Sequence, residues 1–155
     1  MKRPVLIITA IFFLLATLGA KEKKSAPAQL AEMAKMEESM NITLTIGNKT
    51  FSANLEDNET SLELVKSFPL TLKMSELNGN EYYKYLESDF PTQSKNPRAI
   101  NAGDIKLYGS NCLVIFYKSF STSYKYTSLG KINDAEDLEE ALKSSGGKVV
   151  LELGF

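Results

Sequence analysis

The stretch "YGSNCLVIFYKSFSTSYKYTSLGKI", from Tyr108 to Ile132, places six aromatic rings in 25 residues of a chain that has neither Trp nor His. Rings crowded like this either fill a core or line a surface where a ligand stacks on their faces and reaches a hydroxyl. "CLVIFY" alternates Cys112, Val114 and Phe116 with Leu113, Ile115 and Tyr117. Both faces of such a strand are apolar, so it is expected to be covered on both sides, with Phe116 in the core. Phe120 lies in the polar run "KSFSTS" without an apolar neighbour. It must fold back onto the domain or stay open to a partner. Tyr117 precedes that run, and Tyr124 and Tyr126 follow it. The candidate ligand-binding set is Phe120, Tyr124 and Tyr126, completed by Tyr82 and Asn111.

Several chemistries lack their residues. Without His there is no Ser-His-Asp or Cys-His site and no ordinary zinc site. The one Cys, Cys112, sits in an apolar run with no cationic or imidazole neighbour in sequence to make a thiolate. No Gly-rich phosphate loop of common spacing occurs. Asp104, beside Gly103, is expected to satisfy turn amides. Glu136, Asp137, Glu139 and Glu140 read as a solvated helix face, not a calcium loop. No catalytic residue, metal or cofactor is assigned.

The N-terminus reads as an export signal. Lys2 and Arg3 precede an uncharged, mostly apolar run of 14 residues, Val5 to Leu18, short against the roughly 20 a membrane span needs. Cleavage is expected after Ala20, and Leu18 at the third place before the cut keeps an uncleaved anchor as the alternative. The protein is therefore expected to be extracytoplasmic, periplasmic or secreted, with membrane contact only through an uncleaved signal. Residues 1–20 hold two of the 18 basic residues and none of the 19 acidic ones, so residues 21–155 carry a net charge of −3. That balance gives no basic footprint for nucleic acid.

Residues 21–40 carry Lys, Glu, Ala and Met and no aromatic ring. Their helical stripe of Leu30, Met33, Ala34, Glu37 and Met40 is weak, so a flexible tether is expected, with a docked helix as the alternative. The folded domain spans 41–155. "NITLTIGNKTFSANL" alternates around Gly47-Asn48 as a hairpin. "DNETSLELVKSFP" predicts a short helix with a Thr60–Glu63 capping box and Leu62, Val65 and Phe68 inward. "LTLKMSELNGNEYYKYL" predicts a second hairpin turning at Asn78-Gly79, with Tyr83 and Tyr85 on one face and Tyr82 and Lys84 on the other. Strands follow in "IKLYG", "NCLVIFY", "YKYTSLGKI" and "KVVLELGF". A helix in "NDAEDLEEALKSSGG" is expected to be capped by Asn133 or Asp134, to bury Leu138, Ala141 and Leu142, and to stop at Gly146. The sum is a mainly β protein, a closed antiparallel eight-stranded barrel with two short helices.

The segments "FPLTLKMSELNGNEYYKYL" and "AGDIKLYGSNCLVIFYKSFSTSYKYTSLGKI" resemble the bacterial cyclophilin-like fold proteins, over roughly residues 41–153. That family is related in fold to the cyclophilin peptidyl-prolyl isomerases, and the resemblance implies an eight-stranded barrel with two helices. In true cyclophilins a Gln, a Phe, a Trp and a His line the proline pocket. Asn111 falls near the Gln position and Tyr126 near the His position, and nothing matches the Trp. The isomerase Arg has no counterpart in "MSELNGNEYYKYL", where Lys84 offers only a point charge, and Arg98 in "NPRAI" does not match its motif. The expected function is a non-catalytic module binding a peptide segment or small molecule in an aromatic-lined barrel mouth. The alternative is a proline isomerase with a substituted pocket.

Overall fold

Alternating apolar residues build the first hairpin as expected, β1 (Asn41–Ile46) against β2 (Lys49–Leu55). The computed structural model describes residues 25–154, the side chains of 35–39 excepted. The expected export signal lies outside the described residues. The segment expected as a tether is helical from Ala26 to Met40 (α1). Its Leu30 and Met33 stay exposed, and Met40, at its end, packs on the core. Among the described residues no helix is long and apolar enough to cross a membrane.

The next elements are α2 (Glu59–Val65), β3 (Leu70–Lys73), β4 (Ser75–Leu77) and β5 (Glu81–Tyr85). The cap of α2 is Asn58, not Thr60. Asn58 has extended backbone (φ −143°, ψ 163°), and its side chain accepts from Ser61 N at 2.9 Å. The helix therefore starts earlier than the capping box implied. Thr60 and Ser61 are buried instead, donating to the carbonyls of Pro91 (2.6 Å) and Leu129 (3.0 Å). With these two polar residues inward, Leu64 becomes the buried anchor and Leu62 is only half-buried. Val65 and Phe68 pack on the core as expected.

The chain continues through β6 (Ala99–Ile100), β7 (Asp104–Tyr108), β8 (Cys112–Phe116), β9 (Phe120–Ser121) and β10 (Thr127–Ile132), then α3 (Leu138–Ser144) and β11 (Lys148–Leu153). The cap residue of α3 is Asp137, without a side-chain cap bond, and not Asn133 or Asp134: Asn133 donates to Ser52 Oγ at 3.0 Å, and Asp134 Oδ1 accepts from Glu136 N in a preceding turn. Leu138, Ala141 and Leu142 are buried as expected.

One antiparallel sheet runs in the order β3-β11-β1-β2-β10-β7-β8-β5-β4. Its two end strands, β3 and β4, are consecutive and separated only by Met74. They form one bent strand whose first half pairs with β11 and whose second half pairs with β5. Counted so, eight strands circle back on themselves, and the barrel is nearly closed. The expected hairpin holds only for its second half, β4 with β5, where Asn78 (φ +56°) and Gly79 (φ +69°) make the tight turn.

The bend is held at a seam. Met74 N donates to Gly147 O at 2.8 Å. Gly147 has φ +81°, and a Cβ there would lie 2.2 Å from Met74 O. Gly147→Ala should therefore cost about 3 kcal/mol through left-handed strain and the forced backbone shift. Urea unfolding measures this, and a loss below about 0.5 kcal/mol, the range of an ordinary surface change, would show that the seam does not need glycine.

Candidate binding cleft

Strand β8 separates two apolar clusters. Leu113 and Ile115 point into the barrel with Ile42, Leu44, Ile105 and Leu151. Cys112, Val114 and Phe116 point outward into a second cluster with Ile100 and Tyr126, against which Tyr83 and Phe120 pack. All five residues of β8 are buried. The expectation of a strand covered on both sides is met, with Phe116 fully buried.

The outer cover comes from the long loop. The residues after β8 cross the barrel's outer wall, and β9 pairs with β6 in a two-stranded flap, Ile100 opposite Phe120. A bridge between Lys95 and Tyr126 clamps the other end of the crossing. Phe120 thus folds back, with its ring centroid 5.7 Å from that of Phe116. Tyr126 stands edge-on to Phe116 at 5.6 Å.

Between this crossing and the β4–β5 turn lies a cleft of about 460 Å³. Its floor is the outer face of β5, β8 and β7. Register places Tyr83 opposite Val114 and Tyr85 opposite Cys112, with Tyr108 opposite Cys112 on the far side. Tyr124 and Tyr126 form the other wall, Tyr108 lying 6.1 Å from Tyr124 and 5.7 Å from Tyr126. Tyr85 and Tyr124 are 59% and 62% exposed, so the rim is open, while Tyr126 is buried at the base.

Three of the five candidate residues line the cleft: Phe120, Tyr124 and Tyr126. The other two do not. Tyr82 faces the barrel interior, its ring 5.8 Å from that of Tyr117. Asn111, in the turn between β7 and β8, donates its Nδ2 to Leu86 O at 3.1 Å and latches that turn. Tyr117, which brackets the loop in sequence, also turns inward. Its hydroxyl donates to Glu76 at 3.1 Å, and burial, with Glu76 beside it, pushes its pKa up to about 12. The cleft is on the barrel's outer wall, not in its mouth. That position brings in Glu81, Tyr83, Tyr85 and Tyr108, absent from the candidate set. The signal for two of them was present, because alternation in "EYYKY" separates Tyr83 and Tyr85 from Tyr82.

Electrostatically the cleft is one-sided. Glu81 lines it, and none of the described residues lining it is Lys or Arg. Burial, and then the charge of Glu76, raises the Glu81 pKa. Burial also raises those of Cys112 and Tyr126, with Glu81 adding to both. Asn80 lines the cleft too, and its side-chain oxygen is buried without a hydrogen-bond partner. Lys84 lies in another recess, with Leu86 and Phe90. Asp104 accepts from Asn101 N at 3.0 Å, the turn role expected of it, and pairs with Lys106 at 3.6 Å. Among the described residues no three His, Cys, Asp or Glu side chains gather as a metal site requires.

Residues 44–154 match the model of the cyclophilin-like family. The chain belongs to that family, as the sequence resemblance implied. No curated protein matches it.

The Glu81 shift predicts a pH-dependent stability. A carboxyl whose folded pKa is raised binds its proton more readily when folded, so it destabilises the fold above that pKa and ceases to as pH falls through it. Glu81→Gln should raise Tm at pH 7, and the gain should shrink on acidification. Calorimetry across that range checks it, and a Tm lowered equally at every pH would contradict it.

Proposed function

We propose that this cyclophilin-like domain is a non-catalytic binding module, taking a peptide segment or small molecule in the aromatic cleft, and that it works outside the cytoplasmic membrane. The observation that carries the reading is the cleft itself, ring-lined and without a guanidinium among the described residues around it. Its size, about 460 Å³, falls within the range of roughly 300–1,000 Å³ typical of ligand pockets. The terminal "MKRPVLIITAIFFLLATLGA" supports the location.

The rival is proline isomerisation, which the relation to cyclophilins favours. Rotation about a peptide bond has a barrier of about 18–20 kcal/mol. Lowering it requires contacts stronger in the twisted state than in the planar one. A fixed guanidinium fork aimed at the amide supplies such contacts. Arg98, the one Arg among the described residues, sits in the loop before β6 with φ +63° and does not line the cleft. Lys84, the other sequence candidate, lines a different recess. Stacking surface and hydroxyls remain, without the charged fork that would favour the twisted amide.

Exchange NMR on a panel of Xaa-Pro peptides separates the two readings. Peptide shifts that move without faster cis/trans exchange, and that Phe120→Ala and Tyr126→Ala reduce, are the expected result. Accelerated exchange that either substitution abolishes would make this an isomerase.

A further inference from the structure

The cleft combines three features that point to one ligand chemistry. Five tyrosine rings, Tyr83, Tyr85, Tyr108, Tyr124 and Tyr126, surround it. One carboxylate, Glu81, stands among them, and it takes part in no ion pair among the described residues. No basic side chain of the described residues reaches the same space, although the chain has 18 Lys and Arg. Ring faces carry negative potential, and Tyr108 stands edge-on to Tyr124, as Tyr83 does to Tyr85, so that rings meet the space at differing angles. An anion there would meet ring faces and a carboxylate with no donor cation. An uncharged ligand would leave Glu81 half-buried and unpaired. A cation satisfies both, stacking on tyrosine faces and neutralising the carboxylate.

We propose that the cleft recognises an organic ammonium group, held by the tyrosine faces and paired with Glu81. This rests on the reading of the cleft as a binding site and specifies its ligand. The shared chemistry is a substituted ammonium, whether carried by a free small molecule or by a lysine side chain of a peptide. The rim supports entry of such a head group, since Tyr85 and Tyr124 both line the cleft with exposed rings. The oxygen of Asn80, buried and unpartnered beside Glu81 in sequence, is a further acceptor at the same end of the cleft.

The test compares charged and uncharged isosteres on the full chain, read by NMR of labelled tyrosine rings. One pair is choline and its uncharged carbon isostere, dimethylbutanol. The other is a capped lysine amide and the matching norleucine amide. The cationic member of at least one pair should bind about three- to thirty-fold tighter than its neutral partner. Preference within the first pair identifies a free ammonium as the source, and preference within the second a peptide side chain. Glu81→Gln should reduce that ratio while leaving neutral binding intact. Tyr124→Ala, at an exposed position that does not carry the fold, should weaken the cationic probes more than the neutral ones. Equal affinity within both pairs, with shifts at Tyr85 and Tyr124, would overturn the ammonium assignment and leave a binding cleft. No shift at the cleft tyrosines from any of the four probes or from proline peptides would overturn the binding reading along with it.

Discussion

Burying both faces of β8 is the constraint on which the other arrangements depend. Cys112–Phe116 carries no polar or charged side chain, and each fully buried Ile or Phe contributes about 1.5–3 kcal/mol. The inner face is covered by barrel closure. The outer face needs a separate cover, and a barrel strand exposed to water on that side would be an aggregation hazard. The chain supplies the cover by returning across its own wall, held by the β6–β9 pair at one end and the Lys95–Tyr126 bridge at the other. The crossing covers Phe116 completely but stops short of Tyr85 and Tyr108, and the space left there is the cleft. The candidate site is thus a by-product of how the outer cluster is closed.

Closure of the inner face depends on one bent strand. Met74 marks the point where pairing passes from β11 to β5, and Gly147 lets the two backbones approach there. The bend also sets the position of β5 and hence which of its faces meets the cleft. Register with β8 then aligns Tyr83 with Val114 and Tyr85 with Cys112. A slip of one residue would exchange Tyr82 for Tyr83 and turn the aromatic wall inward. The barrel and the cleft geometry are therefore linked through the same few backbone contacts.

Much of the architecture was legible because local chemistry agreed with it. Gly47-Asn48 and Asn78-Gly79 mark turns that β-hairpins require, and period-two alternation fixed the faces of β1, β2 and β8. The expected eight strands emerge once β3 and β4 count as one. Helix caps were less legible, because Asn58 and Thr60 are both good cap residues and only tertiary partners decide between them. Thr60 is taken by Pro91 O and Ser61 by Leu129 O, contacts across 31 and 68 residues. The candidate site was legible in part for a similar reason. Phe120, Tyr124 and Tyr126 were found from their crowding in one segment. Tyr82 and Asn111 were chosen for the barrel mouth and lie away from this cleft, and Tyr108 and Glu81 reach it only through strand register.

The claim that β5 and β8 present one face to the core and one to an open aromatic cleft is tested directly by fluorine NMR. All seven tyrosines can be labelled as fluorotyrosine and exposed to a soluble paramagnetic relaxation agent. Tyr85, Tyr108 and Tyr124 should relax strongly, while Tyr82 and Tyr117 should stay protected. Relaxation of Tyr82 matching that of Tyr85 would place both on the open side and contradict the two-faced arrangement.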